Sequence, residues 1–465
     1  MDAIVLCPAC GQQNAFGASY CLGCRSRLSR GKRVSQEEAQ NLDEKRRSAN
    51  RRRRIVRLIV MILLVGAVIV WTGYSTLGFS DRLNPPESDI SADPATGDWP
   101  MFQRGPDHSG RGSNEFSVPE GRVAWQFETQ APILSSPAVA QSTVYLSTGD
   151  RRVVALDAAT GELIWENEIN GPVDSSPAVA GDSVFVGLKD GRLIALSRAT
   201  GTLQWEFQTG DLIYSSPSVY RGVVYIGSSD GRLYALDAVS GEERWSHLTE
   251  GRVLTAPAVH ESVVAVTSQD RRVYLLDAVT GNHRLDLQVS DTRGSATIDE
   301  KMVYVADTGG LMMAIDWSKT ELPFEKTARW VRTQLFWWKL VDTLPPLKGL
   351  VWRFRRPRSS FVGTPAVGSE MVYVASASGA IFALDRLTGS LIWTYRTDDV
   401  VVGSPSTAGN TLFVGDVAGV LHGVDTVTGE RKWQFQVDGP IASTPVLANG
   451  MVYVASTNGT LYVIK

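Results

Sequence analysis

Cysteine is scarce in this chain of 465 residues: there are four, and all of them lie within the first 24 positions. Residues 25–465 therefore cannot form a disulfide among themselves. Histidine is almost as rare, and the five histidines show neither the spacing of a metal site nor that of a catalytic triad. They are His108, His247, His260, His283 and His422. We therefore expect no histidine-based metal site or triad in this protein.

Helical patterning is also missing from most of the chain, which repeats one motif at a spacing of about forty residues. The motif runs from a triplet such as Ala-Leu-Asp, through a glycine, to a tryptophan. Its copies are residues 155–165, 195–205, 235–245, 383–393 and 423–433. A fixed period of this length indicates a repeat architecture, in which each unit buries its apolar face against its neighbours. A helical solenoid would need helical spacing and stretches rich in Ala, Leu and Glu, and neither is present.

Each repeat contains short stretches rich in Val, Tyr, Phe and Ile, separated by Gly, Asp and Asn turns. This pattern predicts four antiparallel strands per unit, which is the blade of an all-β propeller. A proline opens seven units, and Ala296 stands in its place in the other, so we count eight blades. The prolines are Pro137, Pro177, Pro217, Pro257, Pro365, Pro405 and Pro445. The last unit ends after its third strand, and we predict that Val123–Phe127 supplies the missing fourth strand and closes the ring.

The repeat also carries a family resemblance. The segment Val224–Trp245 resembles the repeat of pyrroloquinoline-quinone-type propellers, and residues 98–104 are similar to the opening segment of such domains. That family contains eight-bladed quinoprotein alcohol dehydrogenases and non-enzymatic assembly lipoproteins of the BamB type. The resemblance covers residues 98–465. It implies the fold and leaves the function open, because this propeller serves several roles.

The resemblance implies a specific active site if the protein is an enzyme. Family enzymes hold the quinone in the central funnel with a vicinal Cys–Cys disulfide, a Ca²⁺ bound by Glu and Asn, and an Asp as base. Residues 98–465 contain no cysteine, and the other members of that set have no match. We therefore expect no catalytic residue, no bound quinone and no enzymatic activity.

The four cysteines form two close pairs near the N-terminus. Cys7 and Cys10 make one CxxC motif, and Cys21 and Cys24 make the other. Two such pairs suit a tetrahedral Zn²⁺ ion, and the segment resembles the short zinc ribbons that begin many bacterial membrane proteins. A redox CxxC and disulfides are the alternatives, and the compartment decides between them. We predict a zinc ribbon over residues 1–34, with these four residues as the metal ligands.

A basic segment and then an apolar tract follow the cysteines. Residues 35–57 begin with a capping-box pattern at Ser35 and contain a cluster of arginines. Residues 58–78 are apolar enough to predict a transmembrane helix. Because the basic cluster precedes this tract, we expect a single-pass protein of the cell membrane with a cytoplasmic N-terminus and an extracytoplasmic propeller. Residues 79–97 read as a solvated linker.

Charge is distributed unevenly along the chain. Residues 1–57 hold 13 Lys and Arg against 5 Asp and Glu, net +8. The whole chain holds 46 against 49, so residues 58–465 hold 33 against 44, net −11. An acidic propeller does not indicate nucleic-acid binding.

One blade is longer than the others, with an insertion near residues 317–348. Residues 326–358 hold nine Lys and Arg and a single acid, Asp342. A basic and aromatic segment in an acidic domain indicates an interfacial helix or a partner site, and a loop packed on the rim of the disc is the alternative. The candidate residues for a membrane or partner site are Arg329, Trp330, Arg332, Phe336, Trp337, Trp338 and Lys339.

Together these features predict a membrane-anchored, extracytoplasmic propeller of the bacterial envelope that binds or scaffolds a protein partner without catalysis. Envelope protein assembly is a role suggested by the family analogy alone. Two alternatives remain: a transmembrane sensor that couples an external ligand to the zinc ribbon, and a quinoprotein dehydrogenase. The identity of the partner does not follow from the sequence.

Overall fold

The computed structural model of the chain describes residues 4–10, 12–29, 31–76, 90, 97–321 and 324–465. The chain divides into two compact units, residues 1–79 and residues 80–465. Only Ile90 and Gly97 of the predicted linker are described, so the rest of residues 79–97 lies outside the described residues.

The first unit contains a small sheet and one long helix. The sheet has the strand order β2-β1-β3, with β1 at Ile4–Leu6, β2 at Gln13–Ala15 and β3 at Lys32–Val34. Its core is small and consists of Val5, Cys7, Cys21 and Leu28. Helix α1 (Gln36–Thr76) begins directly after Ser35, whose hydroxyl accepts a hydrogen bond from the Glu38 N–H at 3.3 Å. The helix therefore starts where the capping pattern predicts.

The predicted membrane localisation is wrong: none of the helices in the described part of the chain is both long and apolar enough to cross a membrane. The first half of α1, as far as Arg57, is rich in charged side chains. Residues 77–78 and the side chains of residues 68–76, which belong to the predicted span, lie outside the described residues. The prediction of a single-pass membrane protein with an extracytoplasmic propeller is therefore corrected.

The second unit contains eight four-stranded antiparallel sheets, the blades of the propeller. Blades 1 to 4 follow the order of the chain. Blade 1 contains β5 (Ala138–Ala140), β6 (Thr143–Thr148), β7 (Arg152–Asp157) and β8 (Leu163–Glu168). Blade 2 contains β9 (Ala178–Ala180), β10 (Ser183–Gly187), β11 (Arg192–Ser197) and β12 (Leu203–Gln208). Blade 3 contains β13 (Ser218–Tyr220), β14 (Val223–Gly227), β15 (Arg232–Asp237) and β16 (Glu243–Leu248). Blade 4 contains β17 (Ala258–His260), β18 (Val263–Ser268), β19 (Arg272–Asp277) and β20 (His283–Gln288).

Blade 5 carries the insertion, and blade 8 takes its outer strand from the N-terminal side. Blade 5 contains β21 (Thr297–Asp299), β22 (Met302–Ala306), β23 (Leu311–Asp316) and β24 (Leu350–Arg355), with helix α2 (Glu325–Trp337) between β23 and β24. Blade 6 contains β25 (Ala366–Val367), β26 (Met371–Ala375), β27 (Ala380–Asp385) and β28 (Leu391–Arg396). Blade 7 contains β29 (Ser406–Ala408), β30 (Thr411–Gly415), β31 (Val420–Asp425) and β32 (Arg431–Gln436). Blade 8 contains β33 (Val446–Ala448), β34 (Met451–Ala455), β35 (Thr460–Ile464) and β4 (Val123–Glu128).

The prediction of ring closure is confirmed. Strand β4 pairs with β35 from Thr460 opposite Glu128 to Ile464 opposite Val123. The innermost strands of all eight blades contact one another in a closed circle, in which β33 of blade 8 lies next to β5 of blade 1. Closure leaves no blade without a neighbour on either side.

The repeated glycine and tryptophan form one contact that joins seven of the eight pairs of neighbouring blades. In blade 1, Gly161 has a φ of +77° and lies against the indole of Trp125 from blade 8, so an added Cβ would lie 2.6 Å from the ring. The Trp125 Nε1–H also donates to the carbonyl of Ala158 at 3.0 Å. The same contact recurs around the disc, for example between Gly241 and Trp205. The repeated glycine and tryptophan therefore join neighbouring blades, as their spacing predicts.

A ring of hydroxyl groups joins the innermost ends of the blades. A backbone N–H of one blade donates to a Ser or Thr hydroxyl of the next at 2.9 Å. The acceptors are Ser136, Ser176, Ser216, Ser295, Thr364 and Ser404. In blade 4 the corresponding residue is Ala256, which is buried and has no hydroxyl to accept such a bond. Six of the eight junctions between neighbouring blades therefore carry this bond, and the junction between blades 3 and 4 lacks the hydroxyl that would accept it.

Restoring the missing hydroxyl should stabilise the propeller. We expect Ala256→Ser to raise the free energy of unfolding by roughly 0.5–1.5 kcal/mol, because its side chain would accept a hydrogen bond from the Ser216 N–H. The matched control, Ser176→Ala, removes an existing acceptor and should lower the free energy by a similar amount. Urea unfolding of both variants measures the two changes. If Ala256→Ser and Ser176→Ala both lower the free energy of unfolding, the two positions are not equivalent and the prediction is contradicted.

Candidate functional site

A segment before the first blade crosses the innermost strands of the propeller. We call residues 97–112 the strap. Carbonyl oxygens of the strap accept hydrogen bonds from one backbone N–H in each of six innermost strands. The donors are Val139, Val179, Val259, Ile298, Val367 and Thr407, in blades 1, 2, 4, 5, 6 and 7. The strap also reaches blade 8, where the Asn449 N–H donates to the Gly97 carbonyl at 3.0 Å. It therefore encircles the axis of the disc.

Two polar side chains of the strap are fully buried near the axis. The amide nitrogen of Gln103 donates to the Pro405 carbonyl in blade 7 at 3.4 Å. His108 lies 3.0 Å from the Ser218 hydroxyl in blade 3 through Nε2 and 3.3 Å from the Ala296 carbonyl through Nδ1. Burial lowers the pKa of His108 to about 4, so the imidazole is neutral at pH 7. Gln103 therefore joins the strap to blade 7, and His108 bridges blades 3 and 5.

The strap has an unusual backbone for residues other than glycine. Gln103, Arg104 and His108 have φ values of +54°, +76° and +57°. Such values cost free energy for these residue types and persist only where the surroundings hold the backbone in place. Here the holding groups are the bonds to the innermost strands. The strap is therefore a fixed part of the propeller.

A cavity of about 590 Å³ lies beside the end of the strap, between blades 6 and 7. Arg104 and Arg111 line it together with Glu370, Tyr373 and Asn410. Both arginines bind groups of the protein itself: Arg104 donates to the Arg111 carbonyl at 2.7 Å, and Arg111 lies 3.3 Å from Asp299. Arg111 therefore joins the strap to blade 5, whereas the Arg104 bond lies within the strap.

The position of the strap is relevant to the quinone site that the family resemblance implies. The resemblance implies that a family enzyme would hold its quinone in the central funnel, and in this chain the strap lies inside the ring of innermost strands with Gln103 and His108. The propeller also lacks the cysteine pair that the resemblance implies for such a site.

The four cysteines lie together in the first unit. Cys7 Sγ is 3.6 Å from Cys24 Sγ, and Cys10 Sγ is 3.5 Å from Cys21 Sγ. All four sulfur atoms lie within 4.8 Å of one another. Disulfide sulfurs are bonded at about 2.05 Å, whereas four sulfurs around a zinc ion, each at about 2.3 Å from it, are ~3.8 Å apart. The observed distances fit the metal site better than they fit two disulfides.

The turn that carries Cys21 and Cys24 favours thiolates, whereas the pKa of Cys10 is raised to about 12. The backbone N–H of Cys24, together with that of Gly23, donates to the Cys21 sulfur and lowers the pKa of this thiol to about 6. The hydroxyl of Ser26 lies 3.1 Å from Cys24 Sγ and lowers the pKa of the Cys24 thiol. Zinc binds thiolates, so this donor set suits the ion.

The residues predicted as a membrane or partner site lie on and just after α2. No residue of this helix is buried. Trp330, Trp337 and Trp338 are 63%, 69% and 68% exposed. Phe336 is half-buried and contacts Trp337 edge-to-face, with 5.6 Å between ring centroids. Arg332 and Lys339 are exposed, whereas Arg329 is half-buried and pairs with Glu321. The helix thus presents an aromatic and basic surface.

Ion pairs hold the base of α2 against blade 4. Lys326 and Arg272 both pair with Asp286 on β20, whose side chain is only 3% exposed. Burial favours the neutral acid, but the hydrogen bonds from His283 and Lys326 and the charges of Lys326 and Arg272 hold the pKa of Asp286 well below its usual range. Asp286 is therefore ionised at pH 7, and α2 is attached by charge rather than by apolar burial.

The same cluster is a possible metal group that sequence spacing did not reveal. His283, Asp286 and Glu321 bring three ligand atoms within 4.8 Å of one another. Lys326 and Arg272 already pair with Asp286, and Arg329 pairs with Glu321. These cations take the place that a metal ion would need. Asp286 on β20 and Glu321 in the insertion are 35 residues apart in the sequence. This group of three ligand atoms could therefore be found only by placing the insertion next to β20.

The family model for the outer membrane protein assembly factor BamB matches the chain over residues 114–253, 211–322, 247–399 and 396–465. No curated protein sequence matches this chain. Among solved structures, BamB from Moraxella catarrhalis is similar, with 19% identity and a TM-score of 0.60 over 75% of this chain and 98% of that one.

Quinoprotein enzymes have a similar fold. A europium-containing methanol dehydrogenase has a TM-score of 0.65 and 14% identity over 80% of this chain and 98% of that one. The quinohemoprotein alcohol dehydrogenase from Comamonas testosteroni has a TM-score of 0.64 and 16% identity over 80% of this chain and 81% of that one. At these identities the likeness shows the fold alone, and it includes both enzymes and a protein named as an assembly factor. The family model covers most of the chain, and on that match the chain belongs to the BamB family of outer membrane protein assembly factors.

Proposed function

We propose that the propeller is a non-catalytic module that binds a protein partner. The observation that carries this proposal is the strap, which runs around the inside of the innermost strands and buries Gln103 and His108 there. The family resemblance implies that the enzymes hold their quinone in this central region. A propeller whose own chain lines this region retains its rim and its loops as binding surfaces.

Membership of the BamB family supports the same role. The assembly factor that gives this family its name suggests that the partner is a protein undergoing assembly. The alternative of a transmembrane sensor depended on a spanning helix, and the described residues contain none. The exposed aromatic surface of α2 offers one place where a partner could bind.

The first unit adds a zinc ribbon to this proposal. Residues 1–34 would hold one Zn²⁺ ion through Cys7, Cys10, Cys21 and Cys24, whose sulfur atoms are close enough to share it. The ion would fix the two turns that carry the cysteines. The propeller, residues 98–465, would carry the binding function.

A quinone assay tests the non-catalytic role. We expect the full chain, incubated with pyrroloquinoline quinone and Ca²⁺, to give no dye reduction above background with alcohols or sugars. A quinoprotein alcohol dehydrogenase of the same fold serves as the positive control. Fluorescence titration with the quinone should show no saturable binding. Quinone-dependent turnover would contradict the proposal and favour a dehydrogenase.

A further inference from the structure

The outer strand of blade 5 lacks an ion pair that blades 1, 2 and 4 carry. In blade 1, Arg152 on the third strand pairs with Glu166 on the outer strand at 2.9 Å. In blade 2, Arg192 pairs with Glu206 at 3.1 Å. The same pair recurs in blade 4 between Arg272 and Asp286. Each of these blades therefore neutralises its outer face with one cation and one acid.

Blade 5 has no acid at these positions. Leu311 stands where the other blades have the arginine, and it lies opposite Arg355 in the pairing of β23 with β24. Arg353 stands where blade 4 has Asp286. No described acidic side chain forms an ion pair with Arg353 or Arg355, because the nearby Asp286 and Glu321 already pair with cations. The outer strand of blade 5 therefore carries two uncompensated positive charges.

A cleft lies in front of these arginines. It has a volume of about 670 Å³, and we call it the basic cleft. Arg353 and Arg355 line it together with Trp330, Leu347 and Leu287. The insertion supplies Trp330 and Leu347, and blade 4 supplies Leu287. The cleft thus combines an apolar wall with the guanidinium groups of Arg353 and Arg355. The other charged groups that line it, Arg272, Lys326, Arg329 and Asp286, pair with charges of the protein itself.

Blade 4 departs from the repeat at its junction with blade 5. The position of the blade-joining tryptophan is occupied there by Leu285, which pairs with Leu275 and lies against Gly349 of blade 5. A leucine covers less area than an indole. Helix α2 lies over the same junction, attached by ion pairs and without a buried residue of its own.

We propose that the basic cleft binds an extended acidic segment of a partner protein, with carboxylates at alternate positions and apolar side chains between them. This inference rests on the proposed binding role and names its site. Side chains two residues apart in a strand lie on the same face about 7 Å from each other, as Arg353 and Arg355 do. A partner segment in an extended conformation presents its alternate side chains with the same spacing, and guanidinium groups bind carboxylates through paired hydrogen bonds.

The backbone of β24 supports an extended partner. This strand is at the end of the sheet order β21-β22-β23-β24, so its outer edge has no neighbouring strand within the blade. An extended peptide can bind to such an edge through backbone hydrogen bonds. Apolar residues of the peptide would then contact Trp330 and Leu347, and its carboxylates would contact the two arginines.

The test uses the full chain and a fluorescein-labelled twelve-residue peptide in which Glu alternates with Leu. We expect saturable binding that weakens as salt rises, because the attraction is between charges. The Arg353→Gln/Arg355→Gln variant should weaken binding at least about tenfold, since two charge-assisted contacts are lost. Trp330→Ala should weaken it through loss of the apolar wall. Arg396→Gln, at the position of blade 6 that corresponds to Arg355, is the matched control and should bind as the wild type does.

Three outcomes would overturn the inference. One is equal peptide affinity of the wild type and the double arginine variant. Another is equal binding of a peptide in which Gln replaces Glu. The third is binding of phosphatidylserine-containing vesicles, but not of the peptide, through the same arginines. The proposed non-catalytic role is tested separately by the quinone assay, so failure here leaves that role standing and changes only the place and chemistry of partner binding.

Discussion

A propeller that starts at residue 129 should not unfold cooperatively, whereas one that starts at residue 97 should. The shorter chain lacks both the strap and β4. Loss of β4 removes Trp125, which packs on Gly161 and contacts Tyr453 with 6.3 Å between ring centroids. Removing a buried tryptophan side chain costs roughly 3–5 kcal/mol. Blade 8 would also keep only three strands.

Loss of the strap adds to this cost. Six backbone N–H groups of the innermost strands would lose their acceptors, and each such bond contributes about 0.5–1.5 kcal/mol. Domains are stable by only about 5–15 kcal/mol in total. The combined loss is therefore comparable to the whole stability of the propeller. We expect calorimetry to show a sharp transition for residues 97–465 and none for residues 129–465.

Intermediate truncation separates the two contributions. A chain that starts at residue 113 keeps β4 and loses only the strap, and we expect a cooperative transition at lower temperature. Equal melting temperatures for the chains that start at residues 97 and 113 would show that the strap does not stabilise the ring. A cooperative transition at unchanged temperature for residues 129–465 would contradict the closure of the ring by β4.

The blades could be predicted from sequence because their contacts repeat at a constant separation. The Trp165 Nε1–H reaches the Arg198 carbonyl 33 residues on, and Trp205 reaches Ala238 over the same distance. A contact that recurs at one separation leaves a pattern of glycine and tryptophan that can be read without coordinates. Ring closure was predictable for the same reason, since Trp125 belongs to that pattern.

The strap could not be predicted in the same way. Its contacts occur once each and at very different separations, such as the 302 residues between Gln103 and Pro405. Many of them are backbone hydrogen bonds, which leave no mark on residue types. The similarity of residues 98–104 to the opening segment of related domains indicates that a domain begins there. It does not predict the path of the strap inside the ring of blades.

The insertion was predictable in composition but not in its attachment. Its basic and aromatic residues are apparent in the sequence, yet Lys326 is bound to Asp286, forty residues earlier on β20. The opposite error occurred with the apolar tract. Residues 58–78 have the composition of a membrane span, but the described part of α1 does not meet the length and apolarity that a span requires.

Replacing Cys10 with Ser in the full chain should release zinc and unfold the first 34 residues. Four thiolates bind structural Zn²⁺ with apparent free energies of about 10–16 kcal/mol near pH 7, and this binding stabilises the folded form. A segment of fewer than about 40 residues rarely folds on its apolar core alone. Here the core consists of Val5, Cys7, Cys21 and Leu28, and two of these four residues are proposed metal ligands. We therefore expect the fold of the ribbon to depend on the ion.

Elemental analysis and hydrogen exchange measure the two effects in the same protein. The wild type should contain one Zn²⁺ per chain and protect amides of residues 4–34. Cys10→Ser should contain little zinc and exchange these amides rapidly, with the propeller unaffected. Ser29→Ala is the matched control, because Ser29 is exposed and lies outside the cysteine cluster. Lowering the pH below the thiol pKa values should release the ion, because protons compete with it for sulfur. A wild-type chain without zinc whose residues 4–34 are still protected would show that the four thiols, 3.5–3.6 Å apart in pairs, hold this fold without a metal.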